Sequence, residues 1–407
     1  MSLATNLLPT VGKAPQRVAE HSPAHWSGVF AMTLCVFALI ASEFMPVSLL
    51  TPIASDLGIS EGQAGQGIAI SGAFAVLASL AISALTGRLR RKTLLLSLTV
   101  LMCASGAVVA GAPNFAVYMA GRALIGVVIG GFWSLSAATA MQLVPAAQVT
   151  RALAVFNGGN ALATVIAAPL GSYLASFIGW RGAFLCLVPI GVVVFIWQWV
   201  SLPPMAAQAS AQGSRNALRL LKRPVVTLGM LAVGMFFMGQ FALFTYLRPF
   251  LETVTQANVA TLSVVLLVMG VAGFVGTVVI GQFLKAGVYT ALTTIPIAMA
   301  AVALALIAAG ASLGATTALL AAWGLLGTAA PVGWWSWLAR TLPQDAEGGG
   351  GLMVAVVQLS IACGSTVGGT LFDSIGYQGT FAASAGILLI AAALVVMTAR
   401  ALQSHAG

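Results

Sequence analysis

The sequence predicts an all-α membrane protein whose twelve transmembrane helices form two pseudo-symmetric six-helix bundles. The chain is 60% hydrophobic and only 6% charged, whereas soluble globular domains carry about 25% charged residues. Apolar runs of nearly 20 residues recur along it, and each is long enough to cross about 30 Å of hydrocarbon as a helix. A polar, basic stretch near the middle divides these runs into two sets of six.

The apolar runs define the expected order of elements. Their centres fall near residues 39, 74, 102, 129, 162, 190, 235, 269, 298, 326, 361 and 390. The expected domains are a cytosolic tail (1–25), a first bundle (26–200), a cytoplasmic linker (201–223), a second bundle (224–400) and a second cytosolic tail (401–407). Because the first tail is polar and precedes a full-length run, we interpret it as cytosolic rather than as a cleaved signal.

The net charge of +9 is explained by membrane topology rather than by a nucleic-acid partner. If the first span starts in the cytoplasm, only Arg181 and Arg248 fall outside and Arg122 lies in a span. The other fourteen of the 17 Lys and Arg residues fall inside. This asymmetry orients membrane proteins with their basic loops in the cytoplasm, so both termini are expected there.

Cysteine and histidine chemistry is not expected in the membrane. All four cysteines lie in apolar runs, which implies no disulfide framework. The three histidines lie in the two tails, which removes histidine relays and metal clusters from the spans. We therefore expect no cofactor, no metal and no enzymatic activity.

An internal repeat relates the two halves at an offset of 197 residues. Near span one, Phe44 and Pro52 fall on Phe241 and Pro249, and a second run of matches surrounds span five. In that second run, Gly171, Gly179 and Phe184 fall on Gly368, Gly376 and Phe381. With six spans per half, the halves have the same orientation and are related by an axis along the membrane normal.

Glu43 is the one carboxylate that the sequence places inside the hydrocarbon, within the run VFALIASEFMPVSLL. A charge at that depth costs about 2.5–3.5 kcal/mol and marks a functional site by default. A carboxyl group avoids that cost when it binds a proton, so Glu43 is the candidate proton carrier. The repeat aligns Glu43 with Gln240, an uncharged residue of nearly the same shape. Only one half then carries a titratable carboxyl group, as expected of a transporter that moves a single proton. Alternatively, Gln240 simply makes a hydrogen bond between helices.

Arg122, in span four, is the expected partner of Glu43. Both lie roughly 11 Å from the outer ends of their spans. An intramembrane Arg needs an anionic partner, and Glu43 is the only one available among the spans. Two alternatives stay open. One is a permanent ion pair with no transport role, and the other is an Arg122 network with backbone carbonyls and polar side chains that leaves Glu43 free. Pro46 removes a helix hydrogen bond and thereby frees the carbonyl of Ser42, beside Glu43.

Amide and indole side chains in the spans predict a site for a neutral, flat, polar ligand. Amides bind polar edges, and indole rings stack on flat faces. The candidates are Trp133, Asn157, Asn160, Gln240, Trp335 and Gln358. For each residue taken alone, the alternative is a hydrogen bond between two helices, or a position in the aromatic belt at the membrane interface.

Several segments resemble the major facilitator superfamily, in its drug:proton antiporter branch. The segment YMAGRALIGVVIGG around Arg122 resembles the span-four motif of that branch, and AAPLGS (167–172) resembles its span-five antiporter motif. Gly179-Trp180-Arg181 resembles the external turn of these exporters. The loop TGRLRRK departs from the family pattern, with Gly87 where an Asp is expected and Arg90 where a Gly is expected.

Four stretches are similar to bacterial purine ribonucleoside efflux pumps: EFMPVSLLTPIASDLGISEG, GGFWS, FTYLRP and PVGWW. The resemblance implies a monomeric inner-membrane protein that exports inosine, guanosine and related analogues in exchange for protons. A sugar or multidrug antiporter of the same fold is the alternative. An ATPase is disfavoured because the chain has no GxxxxGK[ST] loop. A channel would need a continuous polar pore, and a receptor would need larger cytosolic segments.

Overall fold

Every regular element that the structure describes is a helix, as the composition predicts. The computed structural model describes residues 24–85, 90–145, 148–205, 219–343 and 345–403, without the side chains of residues 80, 83–85, 137, 138, 140, 150, 346 and 347. Its helices are α1 (Trp26–Leu57), α2 (Glu61–Leu85), α3 (Arg91–Ala110), α4 (Phe115–Gln142), α5 (Val149–Leu185), α6 (Leu187–Ser201), α7 (Pro224–Phe244), α8 (Leu247–Thr253), α9 (Val259–Ala286), α10 (Val288–Ala309), α11 (Leu313–Thr341) and α12 (Ala346–Gln403).

The apolar segments account for most of the predicted spans. Within the described ranges, nine segments are long and apolar enough to cross a membrane. Two of them, Arg151–Ser201 with 51 residues and Gly348–Gln403 with 56, are each long enough for two crossings of about 20 residues. Counting both twice gives eleven, and α2 is the remaining helix of the predicted set. The full count of twelve stays a prediction.

One glycine breaks each of the two long segments. Gly179 has φ 70° and ψ 168°, and Gly376 has φ 77° and ψ −173°. Only glycine adopts this region readily. The two residues are related by the 197-residue repeat, so the same turn occurs at the same place in each half. Beside the first turn, Arg181 forms an ion pair with Asp56 at the end of α1.

Each half packs around its own apolar core. We call residues 24–205 the first half and 219–403 the second half. In the first half, α1 packs mainly against α5 and α2 against α4. The repeat-related packing in the second half joins α7 to the first part of α12 and α9 to α11. Two buried apolar clusters belong to the first half almost entirely and one belongs to the second.

Small residues bring the two halves into contact. A Cβ atom added at Gly72 in α2 would lie 2.6 Å from the backbone oxygen of Gln358 in α12. One added at Gly270 in α9 would lie 2.8 Å from that of Val165 in α5. The repeat relates Gly72 to Gly270 within one residue and Gln358 to Val165 within four residues, about one helical turn. Small side chains are what permit such close helix approach.

Parts of the predicted boundaries fall outside the described residues. They are the tail up to residue 23, the basic loop at residues 86–89, the linker at residues 206–218 and the last four residues. The predicted domain boundaries therefore stay predictions. The orientation of both termini is likewise a prediction from the positions of the basic residues.

Replacing Gly376 by Ala should destabilise the second half, because a Cβ atom is disfavoured at its φ and ψ by about 1–3 kcal/mol. We expect a lower midpoint of thermal unfolding in detergent. Gly386→Ala is the matched control, since Gly386 lies in the helical part of the same α12 and a Cβ there would meet no atom within 4 Å. Equal midpoints for the two variants would contradict a glycine-dependent turn.

Candidate functional site

Glu43 lies in the interior of the protein, on a helix that two prolines interrupt. The residue is 5% exposed, and α1 contains Pro46 and Pro52. A proline has no N–H to donate to the carbonyl four residues earlier. In α1 the carbonyls of Ser42 and Ser48 therefore lack their usual helical donors. A bare carbonyl is costly in a membrane, so each needs a donor from elsewhere.

Arg122 supplies the donor for the first of these carbonyls. Its guanidinium is fully buried, and Nη1 donates to the Ser42 carbonyl at 2.8 Å. Nη2 donates to the backbone carbonyl of Glu43 at 3.2 Å, and Nε donates to the carbonyl of Gly67 in α2 at 3.0 Å. Arg122 thereby joins α1, α2 and α4 through backbone atoms alone.

The carboxylate of Glu43 is not the ion-pair partner of Arg122. Among the described residues the ion pairs are Arg181 with Asp56, Arg223 with Asp345, and Arg248 with Glu252. The expected pairing is therefore wrong. Of the alternative network, the backbone carbonyls are observed, whereas the Arg122 nitrogens donate to no polar side chain in the described part of the chain. The physical reason is Pro46, which leaves the Ser42 carbonyl without a helical donor in front of the guanidinium.

Glu43 instead contacts the opposite half of the protein. Its Oε1 accepts a hydrogen bond of 3.3 Å from Nε2 of Gln358 in α12. The Oε1 atom of Gln358 is buried and has no hydrogen-bond partner, and neither has the Oε1 atom of Gln240 in α7. The Phe44 ring, next along α1, stacks on Phe241 with the ring centroids 5.8 Å apart.

The unpaired amide oxygen of Gln358 belongs to the side chain that contacts the Glu43 carboxylate, whereas that of Gln240 belongs to an amide that packs at Gly327 of α11 in the second half. An unsatisfied buried acceptor costs about 1–3 kcal/mol, so a ligand carrying N–H or O–H groups would be favoured there. Gln240 and Gln358 were both predicted as substrate-binding residues. The structure brings Gln358 to Glu43, whereas the amide of Gln240 packs at Gly327 in α11 and, in the described part of the chain, makes no hydrogen bond to Glu43.

The other predicted substrate residues lie farther from this contact. Asn157 is exposed and donates to the carbonyl of Leu153 in its own helix, and Asn160 is partly buried. Trp133 packs edge-on against Phe156. Trp335 is 48% exposed, beside Gly350 at the start of α12. In the described part of the chain, no hydrogen bond joins any of these four to Glu43.

Hydrogen bonds join the two halves on the side of the membrane opposite the basic clusters. Arg248 donates to the Ser48 carbonyl, the second carbonyl that a proline leaves free. The carboxylate of Asp373 accepts from the Ser60 hydroxyl at 2.6 Å and from the Gly62 N–H at 3.0 Å. Thr366 donates to Gln66 at 3.1 Å. In the described ranges, every hydrogen bond between the halves lies between these contacts and the deeper contact of Glu43 with Gln358. We call this region the closed stretch.

Beyond Glu43, toward the basic side, the halves diverge. On α2, Ala73 and Leu77 continue the side of the helix that carries Gln66, yet both are exposed, Leu77 by 60%. The contact between Glu43 and Gln358 is therefore the innermost hydrogen bond of the closed stretch. The structure is closed on the side that the charge distribution predicts to be external, and it opens toward the predicted cytoplasm.

Sequence reasoning missed Arg248 and Asp373, which it placed in loops or at span ends. One signal was available for Arg248, because Pro52 frees the Ser48 carbonyl in the same way that Pro46 frees that of Ser42. No local pattern could identify Asp373, because its partners Ser60 and Gly62 are more than 300 residues away along the chain.

A helical membrane protein with two related halves and a buried polar site between them has the architecture of a membrane transporter. A family model described as Major Facilitator Superfamily matches residues 32–350. The chain belongs to that superfamily. This confirms the family that the sequence motifs predict, and it makes the protein a multi-pass protein of the inner membrane.

Similar proteins carry two different kinds of name. The chain is 62% identical to the transcription regulatory protein OpdE of Pseudomonas aeruginosa over 401 residues, 98% of each chain. It is 43% identical to the purine ribonucleoside efflux pump NepI of Salmonella typhimurium over 376 residues, 92% of this chain and 94% of that one.

The fold also matches solved transporter structures. The crystal structure of a bacterial homolog of the human lysosomal transporter Spinster, inward-facing and unoccupied, has a TM-score of 0.75 at 14% identity. The match covers 94% of this chain and 98% of that one. At this identity the likeness concerns the fold alone.

Removing the Arg122 guanidinium should destabilise the protein far more than removing the charge of Glu43. Arg122→Leu loses three hydrogen bonds from a charged group, each contributing about 1.5–3 kcal/mol, whereas Glu43→Gln removes no partner of Arg122. We expect a large fall in the thermal unfolding midpoint for Arg122→Leu, a smaller one for Arg122→Lys, and little change for Glu43→Gln. A comparable fall for Glu43→Gln would indicate an ion pair after all.

Proposed function

We propose that this protein exports purine ribonucleosides such as inosine and guanosine across the inner membrane, in exchange for protons, by alternating access. Membership of the Major Facilitator Superfamily supports a transporter. The similarity to purine ribonucleoside efflux pumps at 43% identity supports the substrate class. The site adds a physical reason for each part of the proposal.

The observation that carries the proposal is the hydrogen bond between Glu43 and Gln358. It joins a titratable group in the first half to an amide in the second half, at the inner limit of the closed stretch. A hydrogen bond to a carboxylate is roughly twice as strong as one between neutral groups. Proton binding at Glu43 therefore changes the strength of a contact between the two halves.

The hydrogen-bond donors of the substrate match the unpaired amide oxygens. Purine ribonucleosides carry ring N–H groups and ribose hydroxyls, which are the donors that the free Oε1 atoms of Gln240 and Gln358 lack. Asn157, Asn160, Trp133 and Trp335 would contribute further amide contacts and stacking surfaces as the halves move. A neutral substrate also adds no net charge to a site that holds Glu43.

The exchange follows from competition for Gln358. On the cytoplasmic side, a nucleoside whose ring carbonyl accepts from Nε2 of Gln358, while a ring N–H donates to its free Oε1, displaces Glu43 from Nε2 and weakens the contact between the halves. The loaded protein then opens outward. Outside, a proton neutralises Glu43, and a neutral carboxyl group re-enters the closed stretch at a lower cost than a charged one. Release of that proton inside completes the cycle.

The name of the Pseudomonas relative favours a second candidate, a membrane-embedded regulator. A regulator that binds the same ligands would need the same unpaired acceptors but no net passage of substrate. Counterflow separates the two functions, because only a carrier exchanges a labelled substrate outside for an unlabelled one inside.

We expect proteoliposomes loaded with unlabelled inosine to accumulate labelled inosine transiently. Gln240→Leu should weaken this counterflow, since the loss of one buried hydrogen bond costs about 1–3 kcal/mol of substrate affinity. Gln282→Leu, at an exposed position on α9, should behave as the unmodified protein. Counterflow of a sugar but not of any nucleoside would favour the alternative antiporter, and no counterflow at all would favour the regulator.

Glu43→Gln should abolish uphill efflux driven by a pH gradient while retaining inosine counterflow, because the amide mimics the protonated carboxyl but cannot release a proton. The measurement is nucleoside accumulation in inverted vesicles with an imposed pH gradient. Glu61→Gln, in the first turn of α2, is the control and should keep gradient-driven transport. Normal accumulation by Glu43→Gln would mean that the proton moves through another group.

A further inference from the structure

A basic cavity lies away from the proposed transport site, at the ends of four helices in the second half. Its volume is about 640 Å³, within the range of small-ligand pockets. It lies where α7 and α10 begin and where α11 and α12 end, on the side of the membrane that carries the basic clusters. Its lining residues are Lys222, Arg223, Pro224, Val225, Val226, Val288, Tyr289, Trp337, Arg340, Thr341 and Leu402.

The charge of the cavity is positive and only partly compensated. Lys222, Arg223 and Arg340 line it, all three residues are exposed, and the lining includes no carboxylate. Asp345 lies just outside the lining and pairs with Arg223 at 3.4 Å. Two cations, Lys222 and Arg340, have no ion-pair partner in the described part of the chain. The cavity therefore presents surplus positive charge to a ligand.

The other lining residues are mostly apolar, and they include the hydroxyl group of Tyr289. Val226, Val288 and Trp337 are buried, while Leu402 is 46% exposed. The Tyr289 hydroxyl accepts a hydrogen bond of 3.2 Å from the Trp337 indole, which leaves its own O–H free to donate. Cations and a hydroxyl beside apolar side chains match a ligand that carries both an anionic group and a hydrocarbon part.

We propose that this cavity binds the phosphate-bearing headgroup of an anionic phospholipid from the adjoining leaflet. Arginine and lysine are the residues that bind phosphate groups in proteins, and basic pockets between membrane helices on the cytoplasmic side hold such headgroups. A soluble phosphate compound shares the anionic chemistry, but it would leave the apolar part of the lining unused. The apolar lining therefore favours the lipid.

The test compares lipid binding by variants of the purified, delipidated full-length protein. Phosphatidylglycerol is titrated in detergent, and bound lipid is counted by native mass spectrometry. Lys222→Gln and Arg340→Gln should each weaken binding about fivefold, the contribution of one cation near an anionic lipid surface. Lys285→Gln is the matched control, because Lys285 is an exposed cation at the end of α9 that does not line the cavity.

Two further ligands separate the possible occupants. Phosphatidylethanolamine tests the need for net negative charge, and glycerol phosphate tests the need for acyl chains. We expect neither to compete effectively with phosphatidylglycerol. Equal binding of phosphatidylglycerol by the two variants and the control would overturn the site, and competition by glycerol phosphate at matched concentration would overturn the lipid as its occupant. Both substituted side chains are exposed, and inosine counterflow by the variants checks that they are folded.

Discussion

The polar organisation of this protein depends on two carbonyls that prolines leave without helical donors in α1. Pro46 and Pro52 free the carbonyls of Ser42 and Ser48, and an arginine donates to each, Arg122 to the first and Arg248 to the second. Because a bare carbonyl in hydrocarbon costs several kcal/mol, these arginines are required where they lie. Arg122 is thereby occupied by backbone atoms, which leaves the carboxylate of Glu43 available for other partners.

The two arginines join different parts of the protein: Arg122 joins helices within the first half, and Arg248 joins the second half to the first. Arg122 joins helices of one half, so its hydrogen bonds can persist while the halves move. Arg248 and Asp373 reach from the second half to the first, so their contacts must break when the closed side opens. Glu43 lies where these two sets meet, on the helix that both arginines contact. A proton on Glu43 can therefore influence the contact between the halves without disturbing the Arg122 network.

The sequence predicts the fold and the burial of Glu43 well because both depend on local chemistry. Apolar run lengths indicate the helices, the 197-residue repeat indicates the two halves, and a lone carboxylate in an apolar run indicates Glu43. The partner of Arg122 was predicted wrongly because charge alone suggests the Glu43 carboxylate. In the structure, Pro46 leaves the Ser42 carbonyl of α1 without a helical donor, and Arg122 donates to that carbonyl instead. Asp373 was missed because its role depends on an approach between distant helices, α2 and α12, that no local pattern encodes.

The distribution of apolar packing bears on whether the halves move at all. Most buried apolar side chains belong to a cluster within one half, and only a few, such as Val47, Ile68 and Ala168, pack into the cluster of the other half. Apart from these side chains and the stack of Phe44 on Phe241, the contact between the halves consists of close approach of small residues and of hydrogen bonds whose partners water can replace. Opening the closed side thus exposes only a minor part of the apolar core. A protein that only sensed a ligand would not need so separable an interface, and this favours a carrier over a static receptor.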